Sequence, residues 1–362
     1  MAINDIKETS WNFYVTPKEA WDAMLTTCKE AQSSIDLEQF IFCTDEIGNQ
    51  FIDICRAKAK EGVRVRILCD AAGSFGFYNS TIPQSLRDDG VRIAFFNTLV
   101  PGGKHNHTPW LFRDHQKLLV IDNVIAFTGS LALWESTKNW RETHVRIEGD
   151  VVPTMTHSFN QMWERAFKNK TRDKNLPPST TSGFNYITNA PLPGKRYLYH
   201  SLIDAIRSAR KYIYFTTPYF VPDQRCARVL KLAARRGVDV RILIPHTSDH
   251  PIVDYGSQSH FTKMLENGIR IFRYKNSMIH AKTGTIDSEW STLGSLNLDH
   301  LSFLYNFEGN IVSTNKKFAE DIKQQFVNDL EKSQELTLTE WKKRSLLQKF
   351  LEAATWPIRK IL

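Results

Sequence analysis

The sequence predicts an α/β fold built from two copies of one unit, each bringing a His-x-Lys pair to a single shared site. Three observations carry this expectation. KAKEGVRVRILCD at 58–70 is matched by LAARRGVDVRILIP at 232–245, with Gly62 answering Gly237. LRDDGVRIAFF at 86–96 is matched by LENGIRIFRY at 265–274, with Gly90 answering Gly268. His115-Gln-Lys117 then answers His280-Ala-Lys282 in the same order along the chain, while only loop lengths drift.

The elements repeat in step. Thr16-Pro17-Lys18-Glu19 reads as a capping box with proline at the first helical position, opening a helix to about Ala31. A strand over Ile35–Phe42, a helix ended by Gly62 and a strand over Val63–Leu68 follow. The second half runs helix 199–210, strand 212–217, helix 223–236, Gly237, strand 238–244. Helices and strands that alternate over short connections argue for a largely parallel sheet. The polar, Pro- and Ser/Thr-rich stretch 168–182 separates the copies, giving units of 1–176 and 177–336 and a basic terminal segment, 337–362.

Bulk properties bound the partners. With 41% hydrophobic and 24% charged residues in 362, the chain has the balance of a cored protein rather than a disordered one. A net charge of +8 favours anionic partners, nucleic acid and acidic membrane surfaces alike. The five cysteines (28, 43, 55, 69 and 226) form no CxxC and suggest small core side chains in a reducing compartment. No apolar h-region opens the chain and no run is long enough to span a bilayer. A membrane, if met, is met from the side.

The chemistry lies in HQKLLVIDNVIAFTGS and HAKTGTIDSEWSTLGSLN, which align His115 with His280, Lys117 with Lys282, Asp122 with Asp287 and Ser130 with Ser295. Residues two apart on a strand share a face, so each imidazole and ammonium point at one spot. The step from His to Asp is odd, which sets Asp122 and Asp287 on the other face or in the following turn, as supporting members of the motif. One neutral imidazole can attack phosphorus while its protonated counterpart donates to the leaving oxygen. Lysines, Ser130, Ser295 and Asn297 would stabilise the non-bridging oxygens, and this scheme requires no metal or cofactor. One His-x-Lys alone signifies little; two copies with the same continuation, at matching places of a duplication, do not arise by chance.

These motifs are similar to the paired His-Lys-Asp motifs of the phospholipase D superfamily, and the resemblance runs over most of the chain. It implies two α/β/α sandwich units packed about a pseudo-two-fold, a phosphohistidine intermediate and no cofactor. By family practice His115 is the nucleophile and His280 the acid. The family's Gly-Ser-x-Asn ending is intact at Asn297, but its first-half counterpart is Ala132, which has no amide to offer. Each histidine also needs an orienting partner, and Glu142 and Glu308 lie at closely corresponding downstream positions.

CTDEIGNQF, RETHVRIEGDVV, TTPYFVPD, SDHPIVDYGSQSHFTKMLENGIRIFRY and ELTLTEW most resemble bacterial-type cardiolipin synthases. That resemblance implies phosphatidyl transfer between two phospholipids, typically phosphatidylglycerol, in a pocket that excludes water. Tyr219, His250, Tyr255 and His260 are candidate substrate contacts. His105 and His107 are read as a loop beside the site rather than a metal set, since no carboxylate or cysteine completes one. A phospholipase D-type hydrolase and a nuclease of the same superfamily are the alternatives; the aromatic-interleaved basic groove a nuclease would carry is not visible, and no nucleic acid is expected. In 341–362, Leu347, Phe350, Leu351 and Ala354 form one helical stripe ahead of Pro357, among basic residues and between Trp341 and Trp356. This reads as a segment lying on anionic lipid, with the protein peripheral at the cytoplasmic face of the membrane.

Overall fold

The computed structural model describes residues 9–98, 109–168, 180–192 and 194–355. Each half builds one large sheet; a two-stranded sheet also pairs Phe220–Val221 with Leu298–Asp299. The two large sheets share a strand order. In the first half it is Ser10–Tyr14, His144–Glu148, Ile125–Gly129, Leu118–Ile121, Ser34–Gln39, Arg64–Asp70, Arg92–Phe96. In the second, the same places are filled by Phe184–Asn189, Asn306–Ser313, Trp290–Gly294, Thr283–Ile286, Tyr212–Thr216, Asp239–Pro245 and Arg270–Tyr274. The terminal strand Ser333–Leu336 extends this second sheet.

The sheets are mixed rather than largely parallel. Only Ser34–Gln39, Arg64–Asp70 and Arg92–Phe96 run mutually parallel, through helical crossovers; the other pairings in that sheet are antiparallel. The physical reason is a tight hairpin. Asp122 and Asn123 both take positive φ (53° and 54°), as do Asp287 and Ser288 (55° and 56°), which primed hairpin turns require.

Helix starts and stops follow the sequence. The helix Pro17–Glu30 is capped by Thr16, whose hydroxyl accepts from the Glu19 N–H, and Gly62 and Gly237 end their helices at φ near 90°. Helices Pro17–Glu30 and Glu46–Lys60 cover the outer face of the first sheet, and Tyr197–Ser208, Gln224–Arg235 and Pro251–Leu265 that of the second. Val152–Lys168 covers the inner face of the first sheet and Lys316–Leu330 that of the second, so each half is layered helix, sheet, helix. The core around Val152–Lys168 is continuous with Phe184, Tyr186, Leu293, Phe307 and Ile311, which fastens the halves together. All five cysteines are free thiols, and no described helix is long and apolar enough to cross a membrane.

The halves are also stitched by backbone, at the two motifs. Arg113–Asp114 pairs in parallel with Asn306–Phe307 of the second sheet, and the His115 N–H donates to the Phe307 carbonyl at 2.9 Å. Symmetrically, Arg141 bridges Ile279, and the His280 N–H donates to the Arg141 carbonyl at 2.8 Å. Phe307 and Arg141 each precede a glutamate. That adjacency sets up the site.

Candidate active site

Because each histidine is held beside the other half's strand, the glutamate it meets also belongs to the other half. His115 Nδ1 lies 3.0 and 3.1 Å from the two oxygens of Glu308, and His280 Nδ1 lies 2.8 Å from Glu142. A carboxylate partner fixes the proton on Nδ1 and leaves the Nε2 lone pair for chemistry. Aromatic edges brace both rings: Phe40 packs on His115 at 4.9 Å and Trp140 on His280 at 5.1 Å between ring centroids.

Each glutamate is fully buried and held in turn. Ser130 Oγ donates to Glu142, and Ser295 Oγ donates to Glu308. Ser302 Oγ (2.7 Å) and Asn306 Nδ2 (3.3 Å) also donate to Glu308. The glycine before each serine permits this approach: a Cβ on Gly129 would strike Thr143 and His144, and one on Gly294 would strike Gly309 and Asn310. Ser130 and Ser295 therefore hold the orienting carboxylates and do not line the pocket, contrary to the phosphate-binding role expected of them.

Asp122 and Asp287 are likewise not site residues. Asp122 sits in its hairpin turn and accepts the N–H groups of Gln32, Ser33 and Ser34 at 2.7–2.8 Å; Asp287 accepts those of Arg210, Lys211 and Tyr212 at 2.7–2.9 Å. Each pins the hairpin to the start of the neighbouring strand, about 20 Å along the chain from its histidine. Their place in the motif is structural.

The lysines break the symmetry. Both sit in the extended segment just before a strand and fold back on the histidine carbonyl, Lys117 at 2.8 Å and Lys282 at 2.9 Å. Lys282 Nζ, however, also lies 2.8 Å from His280 Nε2, whereas no described residue hydrogen-bonds His115 Nε2. Lys117 lines the pocket; Lys282 reaches it through His280.

Burial dominates the electrostatics. It lowers His115 to about 4 against the opposing pull of Glu308, so the ring is neutral near pH 7. His280 is lowered too, by burial and then by Lys282. Burial brings Lys117 down to about 8 and Lys282 to about 7, each partly restored by the glutamates. Burial would raise Glu142, but His280, Lys282 and Ser130 outweigh it and hold the carboxyl at about 2; Glu308 is lowered by His115, Lys117 and Ser295 in the same way.

Both histidines open into one pocket of about 410 Å³. Its polar centre adds Arg113, Asn297, Asp299 and Asn306, while Phe40, Trp110, Leu111, Trp134, Trp140 and Leu301 make an apolar lining. Of the expected substrate contacts, Tyr219 and His250 line it, with Asp249 between them in the wall. Tyr255 and His260 do not: they lie further along Pro251–Leu265, whose helical turn carries them away from the mouth. His105 and His107 fall outside the described residues, and no group of three or more His, Cys, Asp or Glu suited to a metal occurs among the described ones. Sequence reasoning missed the tryptophans and Asp249; the signal available was the crowding of Trp110, Trp134 and Trp140 around the first motif.

Comparison with known proteins agrees with this architecture. The family model described as "Cardiolipin synthase, PLD-like domain" matches residues 24–163 and 202–330, one segment in each half. A cardiolipin synthase of Staphylococcus aureus is 33% identical over 99% of this chain and 74% of its own length, and that of Listeria welshimeri is 32% identical over 96% and 74%. Among solved structures, a phosphatidylserine synthase from Haemophilus influenzae superposes with a TM-score of 0.77 at 14% identity, covering 97% of this chain and 95% of that one, a likeness of fold. With both halves matched and relatives a third identical along nearly its whole length, the chain belongs to the cardiolipin synthase family of phospholipase D-like proteins.

Proposed function

We infer that the protein is a phosphatidyltransferase that forms cardiolipin from two phospholipids, with phosphatidylglycerol as donor and acceptor, through a phosphohistidine. The observation that carries this reading is a single pocket in which two carboxylate-oriented histidines face a common point inside an aromatic, apolar lining. Acyl-bearing substrates fit such a lining, and its exclusion of water favours an alcohol as the group that resolves the intermediate.

His115 Nε2 attacks phosphorus, and the P–O bond to the departing glycerol breaks as His280 Nε2 passes that oxygen a proton drawn from the Lys282 ammonium. The hydroxyl of the second phosphatidylglycerol then returns a proton through His280 to Lys282. Its oxygen attacks phosphorus, the P–N bond breaks, and cardiolipin and glycerol are the products. The lysine asymmetry supports this polarity. A neutral His115 with an unengaged Nε2 is a nucleophile, whereas His280 Nε2 already faces the ammonium of Lys282, a proton source whose pKa of about 7 suits transfer. Lys117 and the Nδ2 hydrogens of Asn297 stabilise charge on the non-bridging oxygens.

Docking on an anionic bilayer, from the cytoplasmic side and without nucleic acid as partner, is part of the same reading. The helix Leu346–Ala354 packs beside Pro251–Leu265, Gln348 bonding Gln258, and the latter helix begins at the pocket mouth with His250 and Val253. Leu346, Leu347 and Phe350 stay largely exposed, as does Ile252, with Lys342, Lys343 and Lys349 in the same segment. Apolar side chains among basic ones suit an interfacial helix on the 337–362 segment. Trp341 does not belong to this face: it is buried in the core, its indole donating to Thr262 Oγ at 3.1 Å. Trp356 and Pro357 lie outside the described residues.

The test is to incubate the purified protein with labelled phosphatidylglycerol vesicles, phosphatidylethanolamine vesicles or single-stranded DNA and analyse the products by mass spectrometry. Cardiolipin is the expected product. Phosphatidate alone would assign a hydrolase, and cleaved DNA a nuclease.

A further inference from the structure

The pocket wall beside His280 differs in kind from the wall beside His115. Near His115 stand cations, Arg113 and Lys117. Beside His280 the cation, Lys282, stands outside the pocket lining, and the wall offers hydrogen-bond acceptors. Asp249 presents a carboxylate; Asp299, whose Oδ1 already accepts the Ser302 N–H and whose pKa burial raises to about 7, offers its other oxygen; and Asn297, itself almost wholly buried, holds its Oδ1 without a partner among the described residues. Tyr219 does not relieve this excess. Its hydroxyl proton already goes to Asp249 Oδ1 at 2.7 Å, which leaves the phenol oxygen as one more acceptor. Tyr219 is edge-on to His280 at 6.3 Å and 5.7 Å from His250, whose Nε2 lies 3.5 Å from the other oxygen of Asp249 at the mouth.

A phosphate oxygen set against two carboxylates and an amide oxygen meets repulsion, but a hydroxyl finds places to donate. An ammonium would also be accepted by carboxylates, yet here it would have to lie close to Lys282 and Lys117. We propose that Asp249, Tyr219, Asn297 and Asp299 form a subsite for the vicinal hydroxyls of a polyol headgroup, next to His280, from which the leaving glycerol departs and into which the acceptor glycerol enters. The inference deepens the transferase reading and rests on it for its biological meaning. It also supplies a means of preferring an alcohol to water. A glycerol unit engages two acceptors at once and holds the attacking oxygen in place, and buried acceptors left unpaired by a smaller nucleophile penalise it.

The subsite can be read without lipid. With the full chain and a soluble bis(p-nitrophenyl) phosphate, the phosphohistidine partitions between water and added glycerol, and the glycerol adduct is counted by mass spectrometry. Interception by glycerol should saturate, while 1-propanol, with one hydroxyl, should intercept linearly and more weakly. Asp249→Asn should raise the half-saturating glycerol concentration about tenfold, the weight of one charged hydrogen bond. Tyr219→Phe, which keeps the ring against His280, should raise it at least about threefold and carries the test if the first variant fails to fold. Equal, non-saturating interception by both alcohols, unchanged half-saturation in the folded variants, or stronger interception by ethanolamine than by glycerol would each overturn the proposal. Vesicles of phosphatidylglycerol report separately on the transferase reading. Saturable, Asp249-dependent interception with no cardiolipin formed would uphold the subsite and defeat that reading.

Discussion

Exchanging Glu308 for glutamine removes one charge from a carboxylate that no water reaches, and the arithmetic of its contacts sets the expected loss. The carboxylate receives His115 Nδ1 on both oxygens, Ser302 Oγ and Asn306 Nδ2, together with Ser295 Oγ. Attack on phosphorus makes the His115 ring cationic, so its bond to Glu308 strengthens as the barrier is climbed. A hydrogen bond to a charged group contributes ~1.5–3 kcal/mol, or ~10- to 150-fold in rate, if the new amide keeps its oxygen toward the ring. If the amide nitrogen faces the ring instead, the proton is driven to Nε2 and the nucleophile is lost; a comparable carboxylate-to-amide exchange behind a catalytic histidine costs ~10⁴. Glu308→Gln should therefore lower kcat for a soluble p-nitrophenyl diester by ~10- to 10⁴-fold, with circular dichroism unchanged. Glu142→Gln should cost less on that substrate, because nitrophenolate leaves without an acid and His280 acts as one. Equal losses would refute the division of labour between the dyads. A Glu308→Gln enzyme within about tenfold of wild type would show that His115 needs no orienting carboxylate.

Substituting the histidines themselves should separate their roles: His115→Asn and His280→Asn each lose at least ~10³-fold on phosphatidylglycerol, but a good leaving group rescues only the second, as single-turnover assays of both substrates would reveal. The pH profile should lean to the acid side. His115 needs to lose its proton and does so near 4, while Lys282 and Lys117, lowered to about 7 and 8, lose theirs as pH rises; kcat/KM should fall from about pH 7 on phosphatidylglycerol and near pH 8, with Lys117, on the soluble diester, and a fall only above pH 10 would contradict the buried-lysine account. Asn297→Ala should cost ~2.7–4 kcal/mol in transition-state stabilisation if its amide acts on a phosphate oxygen, and an unaltered rate in folded protein would make it structural. Leu346, Leu347 and Phe350 changed together to serine should weaken co-sedimentation with anionic vesicles and slow lipid turnover while soluble-diester cleavage persists; point substitutions leave the core residue Trp341 in place.

The duplication and both His-x-Lys pairs were legible because they are local patterns: glycine helix stops, valine-rich strands and a motif repeated in register. What stayed hidden depended on the space between the halves. Glu142 and Glu308 can be picked out by their matching distance downstream, yet nothing in that spacing says which histidine each one meets; the crossing follows from Phe307 and Arg141 receiving the other half's backbone N–H. Asp122 misled through its membership of the motif. Its odd step from His115 already argued against a shared face, and the structure puts it at the far end of a strand as a turn lock. A phosphate-binding role for Ser130 and Ser295 follows from chemical type alone, and a hydroxyl beside a buried carboxylate has a nearer acceptor than phosphate. The parallel reading of the sheets failed on a hairpin whose Asp-Asn and Asp-Ser turns carry no glycine to announce them.

The exchange of glutamates between the halves ties reactivity to assembly. An imidazole without its carboxylate is an ordinary weak base with no fixed tautomer, so a chain that has folded only its first half holds a histidine without the means to attack a phosphodiester. Each dyad is complete only with both halves folded, since the second half supplies Glu308 to His115 and the first supplies Glu142 to His280. By the same logic, two separately made halves would each be silent and would recover activity together or not at all.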